Sequence, residues 1–245
     1  QQRVGFEWAM GFTAESFRRI DGRLVPEKEI HALGLPTSVP TLPRWLKSAG
    51  YATGAFGKWH LGFKDEYNPT KHGFDEYFGE LLGHSDYYRY NYFDGTYALR
   101  DGLKPVKTEG YLTDLINQRA TQFIKNHAKQ PFFLYVPYTA VHLPIDEPKE
   151  WLDLYAKQKD LAVRQYGACV SHLDDGVGKI LAALDRAGVR ENTIVLFLSD
   201  KFVSGFARAG WGDLVLVCAA SLFSLYTVIA KPLVARYGPL PVLAY

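Results

Sequence analysis

Apolar positions along this chain switch between two periods, and the switches mark alternating helices and strands. Leu42 to Ala49 has helical spacing, with Thr41 at the N-cap position and Gly50 as the stop. Tyr51 to Phe56 (YATGAF) follows as a strand-like run. From Tyr111 to Ala128 the residues Leu112, Leu115, Ile116, Ala120, Phe123 and Ile124 form a helical stripe. After Pro131, FFLYVPY has the aromatic and β-branched content of a buried strand. Between Asp160 and Ala187 the positions Val163, Tyr166, Val170, Leu173, Val177, Ile180 and Leu184 recur three and four apart, and Gly188 closes the helix. Thr193 to Leu198 (TIVLFL) is a continuous apolar strand. Helices alternating with strands apolar on both faces predict an α/β fold, a mostly parallel sheet covered by helices.

The pattern changes at Lys201. Leu214 to Ala230 carries no charge and lies between Asp213 and Lys231. As a helix it rises about 25 Å, near the short limit for a hydrocarbon core of about 30 Å. Trp211 and the Lys231 and Arg236 flank have the placing of interfacial anchors and a positive-inside segment. The expectation is one transmembrane helix, with the preceding residues extracytoplasmic. A buried core helix is the other reading. The division predicted is therefore 1–200 and 201–245.

Composition narrows the class of partner. Hydrophobic residues make up 47% and charged residues 22%, a globular balance. The net charge is +2 with dispersed Lys and Arg, which gives no basic stripe for nucleic acid. Cys169 and Cys218 have no metal-ligand or disulfide spacing, and both read as small buried hydrophobes. The tyrosine-rich run Asp86 to Tyr97 suits either a carbohydrate or aryl pocket or a loop packed on the domain.

Candidate chemistry gathers where strands end. Ligands of open α/β sheets bind at the carboxyl ends of the strands. Lys58 and His60, in the glycine-bounded turn GKWHLG, follow the first predicted strand. His142 follows the second, in TAVHLP, and Asp200 follows the last. Lysine offers a point charge with three donors, and histidine exchanges a proton near neutrality. Together they describe an anion pocket beside a carboxylate able to hold a hard divalent cation. Transfer or hydrolysis of a sulfuryl or phosphoryl group is the reaction class this suggests. A solvated Lys58 with a packing His60 is the structural reading of the same turn.

GKWHLG, HGFDEYFG (His72 to Gly79), PFFLYVPYTAVHLP, YGACVSHLDDGVGKIL and NTIVLFLSD, in that order, resemble a type I sulfatase of the alkaline-phosphatase-like superfamily. The resemblance implies that Lys58 binds a sulfate oxygen and that His60 hydrogen-bonds the nucleophile. It implies that His142 contacts the sulfate and the leaving oxygen. Asp200 would be the first residue of a calcium site, and His84 or Ser85 a further polar group of the pocket. The substrate implied is a sulfated carbohydrate or an aryl sulfate.

Departures from the family pattern are equally specific. The formylglycine nucleophile arises in a Cys/Ser-x-Pro-x-Arg motif, and neither cysteine has Pro and Arg at those offsets. Ser38-Val39-Pro40-Thr41-Leu42 has leucine in the arginine position. Lys201, not asparagine, follows Asp200, so most of the calcium site is missing. The family's first strand would lie centrally in the sheet, and an unpaired buried edge is costly. The tail from Gly210 resembles the start of an EamA-type repeat of drug/metabolite transporters. The expectation is a sulfatase fragment without turnover, in an incomplete alkaline-phosphatase-like fold. The competing readings are a membrane-anchored binder of sulfated glycans and a chimeric or truncated reading frame.

Overall fold

The computed structural model describes residues 34–83, 85–92 and 95–199, and the strand segments 19–20, 23–24 and 225–230. Arg19–Ile20 (β1) and Arg23–Leu24 (β2) pair antiparallel, apart from the main sheet. The chain continues through Leu42–Ser48 (α1), Ala52–Phe56 (β3), Glu76–Glu80 (β4), Leu99–Asp101 (β5) and Lys104–Pro105 (β6). Leu112–His127 (α2), Phe132–Pro137 (β7), Lys149–Leu154 (α3), Leu161–Arg186 (α4), Ile194–Ser199 (β8) and Leu225–Ala230 (β9) follow. The main sheet has seven strands in the order β6-β5-β4-β3-β7-β9-β8.

The sheet is mixed, not mostly parallel as its sequence pattern suggested. β3 pairs parallel with β4 and with β7, whereas β5, β6 and β9 run antiparallel to their neighbours. β5 and β6 form a short hairpin on the outer edge, too short to leave a periodic signal, with Gly102 at φ 58° in its turn. On the other side, β9 lies between β7 and β8 and runs opposite to both.

β9 also replaces the last part of the expected membrane helix with a strand. Leu225–Ala230, the end of the apolar stretch, is a strand that satisfies backbone groups of both β7 and β8. Two strand edges in need of partners outweigh the helical option for a short run containing Thr227, Val228 and Ile229. Among the described residues no helix is long and apolar enough to cross a membrane. Residues 214–224 lie outside those described.

Period-2 alternation places a core on each face of the sheet. Phe132, Leu134 and Val136 of β7 join Ala52 and Phe56 of β3 on the face covered by α2 and α4. Phe133 of β7 and Ala55 of β3 face the other way, toward Leu46, Trp59 and Phe74. α2 presents Ile116, Ala120, Phe123 and Ile124, and Phe123 meets the Phe56 ring edge-on at 5.6 Å. Asp160 caps α4 by accepting from the Ala162 and Val163 amides, which explains where that helix starts. The expected α4 stripe holds at Leu173, Ile180 and Leu184, but Val163 is 51% exposed because the first turn projects beyond the core. Thr41 sits at the α1 N-cap position, yet its hydroxyl donates to the His72 carbonyl instead of capping. Cys169 is fully buried, as expected of a small hydrophobe.

His72 is fully buried, and neither ring nitrogen has a hydrogen-bond partner among the described residues. Burial, reinforced by the nearby Arg44 charge, lowers its pKa from 6.5 to about 4. The unfolded chain therefore binds a proton below pH 6.5 that the folded chain refuses until about pH 4. His72 supports the fold fully above pH 6.5 and loses that contribution progressively as the pH falls to about 4. Urea midpoints across that window should fall less steeply for His72→Phe than for the parent chain.

Candidate active site

β4, β3 and β7 run side by side in one direction, so the segments that follow them emerge at one edge of the sheet. Residues 57–62 leave β3 and continue its ladder as a turn. The Gly57, Trp59 and His60 amides donate to Phe78, Glu80 and Leu81 carbonyls, while the Lys58 amide donates to Pro137 at 2.7 Å. The turn is thereby fixed on both sides. Gly57, at φ 132°, is required there, since an added Cβ would lie 2.0 Å from the Pro137 carbonyl oxygen. His60 itself takes φ 58°, a left-handed conformation uncommon for a residue with a Cβ. Its ring rests over Gly83, where a Cβ would come within 2.9 Å of the imidazole.

Lys58 is nearly buried, at 7% exposure. Its charge favours the ionised form of Glu80 and opposes protonation of His142, in each case after burial as the larger cause. His142 is half-buried. Burial lowers its pKa, a hydrogen bond to the Leu143 carbonyl opposes this, and the Lys58 ammonium lowers it again. At 2.6 Å from that carbonyl, Nδ1 must carry the proton, so in the neutral ring the basic lone pair is on Nε2. The His142 amide donates to Thr139, and its carbonyl accepts from the Tyr87 hydroxyl at 3.0 Å.

Glu80 was not apparent in the sequence. It ends β4, is fully buried, and its Oε1 accepts from the Thr139 hydroxyl at 2.6 Å. Burial raises its pKa, and this outweighs Thr139, Ser85 and Lys58, which favour the ionised form. The Ser85 hydroxyl stabilises that carboxylate without reaching good hydrogen-bond geometry. Glu80 therefore ties the loop after β4 to the loop after β7 beneath Lys58. A glutamate at a strand end is common enough that no spacing would have marked it out.

Of the expected site residues, Lys58, His60, His142 and Ser85 come to the same edge of the sheet. His84 and Asp200 lie outside the described residues, as does Cys218. The tyrosine-rich run proves to be packing for the most part: Tyr87 and Tyr90 are each 1% exposed and Tyr92 is 7% exposed. The Tyr92 hydroxyl accepts from the Leu81 and Leu82 amides, which holds the loop after β4.

A model of the family described as Sulfatase matches residues 15–209. The chain belongs to the sulfatase family. Its similarity to Arylsulfatase J of Mus musculus is 37% identity over 179 residues, 68% of this chain and 29% of the relative. N-acetylgalactosamine-6-sulfatase of Rattus norvegicus is 39% identical over 180 residues, 68% of this chain and 33% of the relative. Among solved structures, Ps i-CgsB aligns with TM-score 0.64 and 29% identity over 82% of this chain and 49% of its own. Its complex with k-i-k-neocarrahexaose aligns with TM-score 0.65 and 26% identity, over 94% of this chain and 53% of its own. The chain thus spans about a third of those curated relatives and about half of the solved chains.

The close approach at Gly57 has a measurable consequence. Gly57→Ala should cost at least about 2 kcal/mol of stability, combining a steric clash with left-handed strain. Gly50→Ala, at φ 86° with nothing within 4 Å of the added Cβ, should cost only about 1 kcal/mol. Urea unfolding of both variants separates the steric from the conformational cost.

Proposed function

We propose that this sulfatase-family chain forms the sulfate-recognition half of a sulfuric ester hydrolase acting on sulfated carbohydrate. The observation that carries the reading is that Lys58 and His142 follow adjacent parallel strands, with the Lys58 amide held on the Pro137 carbonyl that leads into the His142 loop. A nearly buried ammonium beside an imidazole is a favourable setting for a tetrahedral oxyanion, because an anion relieves the repulsion between them. Lys58 binds a sulfate oxygen and offsets charge that develops on the ester. His142, proton on Nδ1, contacts the sulfate through Nε2 and, when protonated there, delivers a proton to the leaving oxygen. His60 stands on the same turn, oriented by its left-handed backbone toward the loop after β4. Ser85 supports the pocket floor through Glu80.

Carbohydrate is favoured as the substrate class by two likenesses. One relative is an N-acetylgalactosamine-6-sulfatase, and one structural neighbour is a complex with a neocarrahexaose. An aryl sulfate fits the same anion pocket and serves as a convenient probe.

Turnover needs more than this chain supplies. No Cys/Ser-x-Pro-x-Arg segment occurs in its 245 residues, so the family's formylglycine has no source within them. The residues do not fit calcium either. That ion takes six to eight oxygen ligands, whereas Asp200 is followed by the cation Lys201. The chain by itself binds sulfate without hydrolysing its esters.

Calorimetry with inorganic sulfate and with a sulfated oligosaccharide tests this. Binding should weaken at least about tenfold in Lys58→Ala and fall with added chloride. An aryl sulfate should not be hydrolysed above the buffer rate. Absence of sulfate binding would sink the recognition reading, and turnover abolished by Lys58→Ala would sink the claim of inactivity.

A further inference from the structure

A buried ionic centre lies apart from Lys58, beneath the loop that carries His142. His172 of α4 is 1% exposed. Its Nδ1 is 2.9 Å from Glu147 Oε2, and its Nε2 is 3.3 Å from Asp114 Oδ2, an ion-pair distance without good hydrogen-bond direction. The ring is sandwiched between Tyr111, at 4.9 Å and 20°, and Trp151, at 4.5 Å and 13°. Carboxylates at both nitrogens and aromatic faces above and below suit an imidazolium rather than a neutral ring. Burial alone would lower the His172 pKa, but the two carboxylates prevail and push it up to about 9. Lys179 lies 3.3 Å from Asp114 on the outer side, and the Tyr111 hydroxyl donates to the second oxygen of Glu147.

This centre is joined to the candidate site at two points. Glu147, whose side chain is 0% exposed, belongs to the same loop as His142 and follows it by five residues. Tyr111 stacks on Tyr87 at 5.1 Å and 6°, and the Tyr87 hydroxyl holds the His142 carbonyl at 3.0 Å. Four rings, Tyr87, Tyr111, His172 and Trp151, form one column from the His142 backbone to α3. Both ends of the segment from His142 to Glu147 are therefore fastened to a single cluster.

We propose that His172 is a positioning residue for the His142 loop: it never touches the anion but fixes where the His142 imidazole stands relative to Lys58. The physical reason is the buried Glu147 carboxylate. A buried ion pair adds little net stability over an apolar equivalent, but a buried carboxylate that loses its partner cannot stay as it is. With only the neutral Tyr111 hydroxyl and Cys169 thiol left to it and no cation, Glu147 turns out or draws in water, and His142 moves with it. Burial and the Lys58 charge both lower the His142 pKa, so that titration is a gauge of the loop's position.

The functional consequence rests on the sulfate-binding reading, whereas the positional claim does not. The test uses the full chain with nitrogen-labelled histidine, following the His142 ring by NMR through a pH titration. His172→Gln and Glu147→Gln should each move the His142 titration upward toward 6.5, and weaken inorganic sulfate binding at least about fivefold. Leu184→Ala, a fully buried truncation on the same helix, should lower the thermal midpoint and leave the His142 titration in place. Should His172→Gln not fold, Tyr87→Phe gives the same readout, since it removes only the hydroxyl that holds the His142 carbonyl. The proposal fails if the His142 titration is unmoved in the foldable variants, or if Leu184→Ala moves it equally. A parent chain that binds no sulfate overturns the recognition reading alone, because the titration needs no ligand.

Discussion

The parallel contact between β3 and β7 is the constraint on which the candidate site depends. Their registered pairing, Ala52 with Phe132 through Ala55 with Tyr135, brings both strand ends to one level. The Lys58 amide then reaches the Pro137 carbonyl at 2.7 Å, an approach open only to a glycine at position 57. Lysine and histidine thus come together although 84 positions (58 to 142) separate them in the chain. No local interaction could do this. The register is held by two cores on opposite faces, one built on Phe56, Leu134 and α2, the other on Ala55, Phe133 and Phe74.

Electrostatics around that contact pull in opposite directions. Burial, with the nearly buried Lys58 charge adding to it, lowers the basicity of His142, while burial makes Glu80 harder to ionise. The segment after β7 is fastened at several points. It is held from one side by Thr139 on Glu80 and from the other by Tyr87 and Glu147. Placing His142 therefore involves β4, the tyrosine-rich loop, α2 and α4 together.

Several features were legible because they have a period or a motif. The stripes of α2 and α4, the apolar runs of β3, β7 and β8, and the glycine-bounded Lys58-His60 turn all lay open in the chain. Other features had no such mark. Glu80, Glu147 and His172 look like ordinary residues of a strand end, a loop and a helix. What distinguishes them is burial beside a partner distant in sequence. His172 even sits next to Leu173 of the apolar stripe, where a charged ring would have counted as a break in the pattern. The stretch ending at Ala230 misled for a related reason. Apolar composition records a need for burial but does not say whether lipid, a helix or two strand edges will meet it.

By itself the sequence determined the order of most elements, the alternation that gives β3 and β7 a buried residue on each face, and the family. These are local properties, set by spacing and residue type along the chain. Tertiary structure alone decided the mixed direction of the strands, the strand at Leu225–Ala230, the carboxylate under Lys58 and the ring column behind His142. Those depend on which groups become neighbours after the chain closes on itself. Burial then gives a carboxylate or an imidazole a charge state and a role that its position in the sequence does not carry.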